Sequence, residues 1–259
     1  MFKLAKWYLD LVTDDGTALV GYAAGLRWGA LRLRYASLLL APPGQAPEEH
    51  TTLRQVAEPT LDGNILTWRN GPLDLEGRWL REARPIEAPL AALPAGAIHW
   101  HCLLPSAVAV VRVGDQRLTG RGYAERLVLT LPPNDLPFRT LHWGRYLSVR
   151  HTLVWIDWSG AGAPASWVWL AGTLHPDARL DDQGITGLGH GLALRFGAPR
   201  SLRDRAVLQD LARPIPGLLR RVVGPVAQMR ERKRLAMSRL ERDGTTVDEG
   251  WAIHEEVAW

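Results

Sequence analysis

Two carboxylates set in aromatic, strand-like sequence are the residues best suited to acid chemistry. Glu125 follows Tyr123 by two positions, so both side chains are expected on one face of a strand. Asp157 follows Trp155 by two positions in the same way. A carboxyl group in an apolar interior has its charged form disfavoured, which raises its pKa and lets it donate a proton. The sequence therefore predicts Glu125 as a general acid and Asp157 as an assisting carboxylate.

Two basic side chains belong to the same predicted catalytic set. Arg145 can bind a carboxylate through its planar fork of donors and, with Tyr123, would orient the acid. His142 can carry a proton near neutral pH. Each has a plainer alternative: Arg145 as the structural ion-pair partner of Glu125, and His142 as a histidine that only fills its place in a strand.

Tryptophan is unusually common, with 12 Trp against 3 Phe. Five of these rings lie close to the acid and arginine candidates and predict a ligand pocket: Trp143, Trp155, Trp158, Trp167 and Trp169. Trp100 is added to the ligand-binding set. Such rings could stack on a polyene or stabilise a carbocation through cation–π attraction. The rings spread through the first half are expected to fill its core: Trp7, Trp28, Trp68 and Trp79.

Metal and cofactor signals are weak. His99 and His101 form a His-x-His pair, but no motif supplies a third ligand. Cys102 is the single cysteine, which excludes an intramolecular disulfide and any multi-cysteine metal site. The glycines of the segment 187–191 lack the strand–turn–helix context of a dinucleotide fingerprint. The prediction is a protein with no metal and no cofactor.

The charge balance also limits the partners. With 31 basic and 27 acidic residues the net charge is only +4, and no basic patch carries interleaved aromatics, so nucleic acid is not expected. The basic run Arg230–Arg242 predicts possible peripheral contact with anionic lipid, the alternative being a solvated face diluted by Glu231 and Glu241. No signal-like apolar segment follows Lys3 and Lys6, so a cytoplasmic location is expected.

The elements that must position these residues have a period of two. The turn signals Asp14–Gly16 and Asp62–Asn64 each separate two β-rich runs, as in hairpins. Arg27–Tyr35 alternates between leucines and arginines, while the Pro- and Ala-rich stretch Pro85–Gly96 is expected to be a covering loop. Short strands at intervals of about 8–15 residues with little helix are typical of antiparallel sandwiches and barrels.

A proline-rich segment, Leu131–Pro137, is the best linker, with similar numbers of strands on either side. We therefore expect an N-terminal barrel over residues 1–137 and a C-terminal barrel over residues 138–259. Near the C-terminus Ser201–Leu211 and Pro216–Arg230 are expected to form short helices. Lys233–Arg242 either continues a helix or, as Asp243-Gly244 favours, forms the first strand of a terminal hairpin.

Four short motifs carry a resemblance to a known family. They are Trp100-x-Cys102-x-x-Pro105, Gly120-x-Gly122-Tyr123-Ala124-Glu125, Leu141-His142-Trp143-Gly144-Arg145 and Trp155-Ile156-Asp157-Trp158, the last followed by Trp167-x-Trp169. Together they resemble the superfamily of carotenoid 1,2-hydratases (hydroxyneurosporene synthases), AttH-like proteins and tocopherol cyclases. The Tyr-Ala-Glu form is closer to the cyclases than to the hydratases. The resemblance implies tandem lipocalin-like antiparallel β-barrels and activity on hydrophobic isoprenoids or polyenes.

Three functional hypotheses remain open at this point. The first is a cofactor-free enzyme that hydrates or cyclises an apolar isoprenoid with a carboxylic acid as proton donor, that is, a hydratase, lyase or cyclase. The second is a non-catalytic lipocalin-like carrier of a hydrophobic small molecule. The third is an interaction module whose interior is filled by its own side chains.

Overall fold

The computed structural model describes residues 1–206 and 229–258. The chain divides into two compact units, Met1–Pro132 and Pro133–Trp259, and the division falls inside the proline-rich segment. Within the described residues each unit contains one ten-stranded antiparallel sheet. Each sheet curls around an apolar core, which confirms the tandem lipocalin-like, all-β fold.

The first unit contains ten strands and one short 3₁₀ turn, Gly71–Leu73. The strands are β1 (Phe2–Val12), β2 (Ala18–Trp28), β3 (Leu31–Ala41), β4 (Glu48–Thr52), β5 (Thr60–Asp62), β6 (Ile65–Asn70), β7 (Leu75–Arg81), β8 (Ile86–Leu93), β9 (Gly96–Val113) and β10 (Gln116–Leu129). Their order in the sheet is β4-β3-β2-β1-β10-β9-β7-β6-β5, and β8 pairs with β9.

The second unit repeats this topology strand for strand. Its strands are β11 (Phe138–Leu147), β12 (Thr152–Gly160), β13 (Ala165–Leu170), β14 (Thr173–Leu174), β15 (Arg179–Asp181), β16 (Gly184–Thr186), β17 (Leu192–Arg195), β18 (Arg200–Ala206), β19 (Arg230–Arg242) and β20 (Thr245–Ala258). The order is β14-β13-β12-β11-β20-β19-β17-β16-β15, and β18 pairs with β19. The two units therefore share the order of their strands, although their amino-acid sequences show no evident repeat.

The predicted hairpin turns form where Asp-Gly signals occur. Gly16 closes the β1–β2 turn with φ 85°, and Gly244 closes the β19–β20 turn with φ 80°. Both values lie in the left-handed region that glycine tolerates without a steric cost. The terminal hairpin is therefore confirmed, and Lys233–Arg242 belongs to a strand.

Two predicted non-strand segments are wrong. The expected covering loop Pro85–Gly96 contains β8, an outer strand that pairs only with β9 and so tolerates Pro89, beside a register shift. The expected helix at Ser201 is β18, where Leu202 is buried and the backbone pairs with β19. Among the described residues the C-terminal unit contains one 3₁₀ turn, Pro133–Asp135, and the helix expected from Pro216 lies mostly outside the described part.

Each core occupies one side of its sheet. Trp68 and Trp79 lie in the first core, as predicted, together with Trp7. Trp28 instead packs edge-on against Phe2, with ring centroids 5.4 Å apart. None of the described helical segments has the length and apolarity needed to cross a membrane.

The first sheet is buried on both faces where β1, β2 and β10 meet. Leu9 and Leu11 belong to the core, yet Tyr8 and Asp10 on the opposite face of β1 are only 3% and 0% exposed. Strands buried on both faces lose the simple alternation of apolar and polar residues. This second buried face positions the candidate site.

Candidate functional site

A cluster of polar and aromatic side chains occupies the second face of the first sheet. The antiparallel register places Glu125 of β10 directly opposite Tyr8 of β1 and Cys102 of β9. Tyr22 of β2 lies opposite Tyr8 and extends the same row. Residues directly opposite one another in an antiparallel pair share a face, so the row brings four chemically active side chains together.

Two hydrogen bonds hold the carboxyl group of Glu125. The indole Nε1 of Trp100 and the phenolic hydroxyl of Tyr123 each donate to Oε2, both over 2.6 Å. Both donors reach the same oxygen from two neighbouring side chains, which restricts the rotation of the carboxyl group. The arrangement therefore fixes the orientation of a potential acid.

Two register shifts between β9 and β10 create this arrangement. Gly122 pairs with Ala107, and Glu125 pairs with Cys102. The two positions are three residues apart on β10 but five residues apart on β9. The two additional residues on β9 are β-bulges, which re-aim side chains locally. As a result Leu104 belongs to the apolar core while Cys102 shares the face of Glu125.

The donors around Glu125 stay protonated. Burial raises the pKa of Tyr123 well above its usual range, and the nearby Cys102 and Glu125 raise it further. Burial likewise raises the pKa of the Cys102 thiol, although its hydrogen bond with Tyr123 opposes this. A second phenol, Tyr8, donates to Oδ2 of the fully buried Asp10 over 3.0 Å. The cluster thus combines two carboxyl groups with neutral donors.

Glu125 does not point into the core of its sheet, which differs from the expected apolar interior. Its neighbour Ala124 is the residue that packs in the core, and Glu125 lies on the other face, partly exposed. Its surroundings are aromatic and hydrogen-bonding rather than aliphatic. The pairing of Tyr123 with Glu125 on one strand face is as the sequence predicted.

The predicted tryptophan pocket of the second unit is divided between the two faces of its sheet. Trp143 and Arg145 share one face of β11, and their register places three more of the rings on that face: Trp158, Trp167 and Trp169. Trp158 stacks on Phe138 at 4.9 Å and meets Trp167 edge-on at 4.7 Å. Four of the five rings therefore form one aromatic surface.

The remaining predicted residues lie on the opposite face. Trp155 is 1% exposed within the second core, where it contacts Phe196 at 5.7 Å between centroids. Asp157 shares its face, as predicted, and lies opposite His142 in the β11–β12 register. The side chains of Asp157 and His142 are both half-buried. The alternation of β11 thus separates His142 from Arg145, which the sequence spacing grouped together.

Arg145 is fully buried, and its Nη1 donates to the main-chain oxygen of Trp251 over 2.6 Å. It belongs to the second unit, whereas Glu125 belongs to the first. The predicted pairing of Arg145 and Asp157 with Glu125 stays a prediction.

Sequence reasoning missed a buried ion-pair cluster in the second unit. The row Trp143, Glu255 and Lys233 crosses β11, β20 and β19, which correspond in topology to the strands of Tyr8, Glu125 and Cys102. The Lys233 ammonium contacts Glu255, lies 3.5 Å from Oε1 of Glu231 and is 5.3 Å from the centroid of the Trp143 ring. The sequence signal that could have revealed this cluster is the alternation of residues within the basic run Arg230–Arg242, which places Glu231 and Lys233 on one face of a strand.

The basic run is therefore not one uniform surface. Glu231 and Lys233 are buried, while Arg230 pairs with Asp204 at 2.7 Å on the exposed side. Peripheral membrane contact through Arg230–Arg242 stays a prediction.

The residues available to hold a metal are few. Among the residues that the structure describes, no group of three or more His, Cys, Asp or Glu side chains could ligate a metal ion. His99 is exposed, and Nδ1 of His101 lies 3.5 Å from Oε1 of Glu87.

Several solved structures resemble the whole chain in fold. A protein assigned as an AttH from Nitrosomonas europaea aligns with 12% identity and a TM-score of 0.56, covering 99% of this chain and 92% of that chain. CghA with Sch210972 has a TM-score of 0.63 at 12% identity, covering 99% and 88%. Kievitone hydratase from Nectria haematococca has a TM-score of 0.55 at 10% identity, covering 98% and 88%.

No family model matches the sequence. No curated protein matches it by sequence comparison. At identities of 10–12% the structural likeness shows the fold alone. The fold expected from the resemblance to AttH-like proteins is therefore present in this chain.

Proposed function

We propose that the protein is a cofactor-free acid catalyst that hydrates or cyclises an apolar isoprenoid or polyene at Glu125. The observation that carries the proposal is the pair of 2.6 Å hydrogen bonds from Trp100 and Tyr123 to one oxygen of this carboxyl group. An acid held in one orientation can deliver its proton to a fixed point, which lowers the entropic part of the barrier.

The proposed chemistry needs only the carboxyl group and a substrate double bond. The protonated carboxyl group of Glu125 transfers its proton to one alkene carbon, and the π electrons form the new C–H bond. The carbocation left on the other carbon is captured by water or by a second double bond. Loss of a proton from the resulting oxonium ion or cyclised cation returns one proton to the carboxylate.

The aromatic rings around the acid would stabilise the positive charge. Tyr8 contacts Tyr123 edge-on at 5.9 Å, and Trp100 donates to the acid itself. Ring faces attract a cation by about 0.5–2 kcal/mol each, depending on solvation. The similarity in fold to a kievitone hydratase accords with hydration, while the Tyr-Ala-Glu motif accords with cyclisation.

The test is incubation with linear isoprenoids dispersed in detergent, such as lycopene, squalene and phytol, in water enriched in ¹⁸O. Hydration adds water and shifts the mass by about 20 Da, whereas cyclisation leaves the mass unchanged and changes the retention time. Glu125→Gln is expected to abolish either product. Glu76→Gln alters an exposed carboxylate that pairs with Arg69 and serves as the matched control. Full activity of Glu125→Gln would rule out the acid role.

The second candidate function is a carrier of a hydrophobic ligand. It is favoured by the aromatic surface of the second unit, where Trp167 is only half-buried beside Trp158. A carrier would retain one of the same isoprenoids unchanged, and Glu125→Gln would retain it equally well. Trp167→Ala would weaken retention in that case, and product formation by the unaltered protein would exclude a carrier without catalysis.

A further inference from the structure

A cleft of about 600 Å³ opens at the end of the first sheet nearest the β2–β3 turn. Five positively charged side chains line it, against one carboxylate, Glu58; the five are Lys3, Arg27, Arg32, Arg34 and Arg126. We call this site the basic cleft. Its volume lies within the range of about 300–1,000 Å³ that is typical of small-molecule sites.

The basic side chains are at core-facing positions of their strands. Arg32 and Arg34 share a face of β3 with Ala36 and Leu38, both of which pack in the first core. Alternation in this segment therefore places arginine, and not the intervening leucines, on the inner side. Cations gathered in a concave site repel one another and concentrate field lines, so an anion is attracted to them.

One buried donor that lines the basic cleft lacks an acceptor in the described part of the chain, and so does a second donor beside it. The Nε of Arg126 is buried and has no hydrogen-bond partner among the described residues. Its guanidinium lies 5.6 Å from the centroid of the Trp7 ring, and Trp7 is 8% exposed with its own Nε1 buried and without an acceptor. A buried donor left unpaired costs about 1–3 kcal/mol, which a bound acceptor would relieve.

Among the described residues the lining of the cleft offers the five cations one carboxylate, Glu58. None of the five forms an ion pair with a carboxylate in the described part of the chain. Within the described part of the chain, Arg32 donates to the main-chain oxygens of Gly29 and Leu31. An oxyanion can take two hydrogen bonds from a single guanidinium, and arginine is the side chain best suited to that geometry.

We infer that the basic cleft binds the oxyanion, a carboxylate or a phosphate, of a small molecule with an apolar body. Ala5, at a core-facing position of β1, and the aliphatic stems of the basic side chains supply apolar lining beside the charged groups. The site is separate from the acid cluster, because Arg126 and Glu125 are consecutive in β10 and point to opposite faces of the sheet. It is thus a second ligand site and does not depend on the proposed catalysis.

The test uses four probes at low ionic strength: octanoate, octyl phosphate, octanol and inorganic phosphate. Calorimetry is expected to show saturable binding of octanoate or octyl phosphate and none of octanol. The same ligand should shift the indole N–H resonance of Trp7, which Trp7→Phe identifies in the spectrum. Binding of inorganic phosphate at equal affinity would show that the apolar body plays no part and would overturn that half of the inference.

Two variants separate charge from space in the basic cleft. Arg126→Gln removes the buried donor and should weaken binding by about tenfold or more. Gly25→Leu keeps the charge and fills the cleft, since a Cβ at Gly25 meets nothing within 4 Å, and it should abolish binding. Arg117→Gln removes an exposed arginine of the same strand outside the cleft and should leave binding unchanged.

Equal binding by Arg126→Gln and Arg117→Gln would overturn the assignment, as would the absence of saturable binding by both soluble anions. Vesicles of phosphatidylglycerol distinguish the remaining source of phosphate. Retention on vesicles without binding of octyl phosphate would show surface docking in place of a small-molecule site and would also contradict the inference.

Discussion

Trp100 donates its indole N–H to Oε2 of Glu125 over 2.6 Å, although 25 residues separate the two in the sequence. The bond depends on the bulges in β9, which shift the register by two residues and bring Cys102 opposite Glu125, with Trp100 two residues further along β9. A regular ladder continued from the Gly122–Ala107 pair would place Leu104 opposite Glu125 and Trp100 four residues further along the strand. The irregularity between the two strands is therefore what assembles the acid cluster.

Removing one donor from Glu125 should cost stability as well as activity. Trp100→Phe keeps an aromatic ring at this position but deletes the N–H that donates to Oε2, while the bond from Tyr123 remains. A hydrogen bond contributes about 0.5–1.5 kcal/mol net, and we expect a loss of that size in the free energy of unfolding measured with urea. Trp28→Phe, at a position outside the cluster, is the control. Equal stability of Trp100→Phe and the unaltered protein would contradict the hydrogen-bond assignment.

Much of the fold follows from local signals in the sequence. The Asp-Gly turns at Gly16 and Gly244, with strand-like sequence on either side of each, predict two antiparallel hairpins. The structure contains both hairpins. β8 was missed because a strand that pairs on one side only tolerates proline, so composition alone indicated a loop.

The candidate site was harder to predict, because the face of a residue depends on register. Glu125 and Tyr123 were correctly expected on one face, but the residues of β9 that lie opposite Glu125 depend on bulges that have no clear sequence signal. Trp155 and Trp158 lie on opposite faces of the sheet, because they are three residues apart in β12 and side chains alternate between the faces. The buried Lys233 was hidden inside a run whose composition indicates a solvated surface.

The glycines of the Gly120-x-Gly122 motif have a structural reason. A Cβ at Gly122 would lie 2.6 Å from Cδ1 of Trp79 and 2.8 Å from the main-chain oxygen of Asp10. That oxygen accepts the indole N–H of Trp79 over 2.8 Å, so the added atom would disturb a buried hydrogen bond. Gly122→Ala should lower the free energy of unfolding by about 1–3 kcal/mol. Gly25→Ala, which meets open space in the same sheet, should change it far less, and a similar loss in both variants would refute this explanation.

Acid sensitivity should come in part from His254. Burial, together with Arg234, Lys233 and His142, lowers its pKa to about 4 from an ordinary 6.5. The imidazole stacks on Phe196 at 4.7 Å, and its Nε2 is buried with no partner among the described residues. Between pH 6.5 and 4 the unfolded chain binds a proton that the folded chain does not.

The contribution of the uncharged His254 to the free energy of unfolding is fully present above pH 6.5 and is lost as the pH falls toward 4. It amounts to about 3 kcal/mol over the window. His254→Phe should therefore show a smaller loss of stability between pH 7 and pH 4 than the unaltered protein, as measured by urea unfolding at each pH. His99→Phe, at an exposed position, is the control and should keep the full pH dependence. Parallel curves for His254→Phe and the unaltered protein would exclude the assignment.

The buried ion pairs of the second unit should be costly to break and cheaper to replace. Lys233 is fully buried between Glu231 and Glu255. Lys233→Met removes the cation that both carboxylates share. Glu231 keeps a second ion pair with Arg203 at 3.1 Å. We expect a loss of about 3–5 kcal/mol in the free energy of unfolding. The double variant Lys233→Met with Glu255→Leu removes the unpaired charge as well and should recover part of that loss. Lys3→Met, which changes an exposed lysine, is the control, and a double variant less stable than Lys233→Met alone would show that packing and not charge dominates at this position.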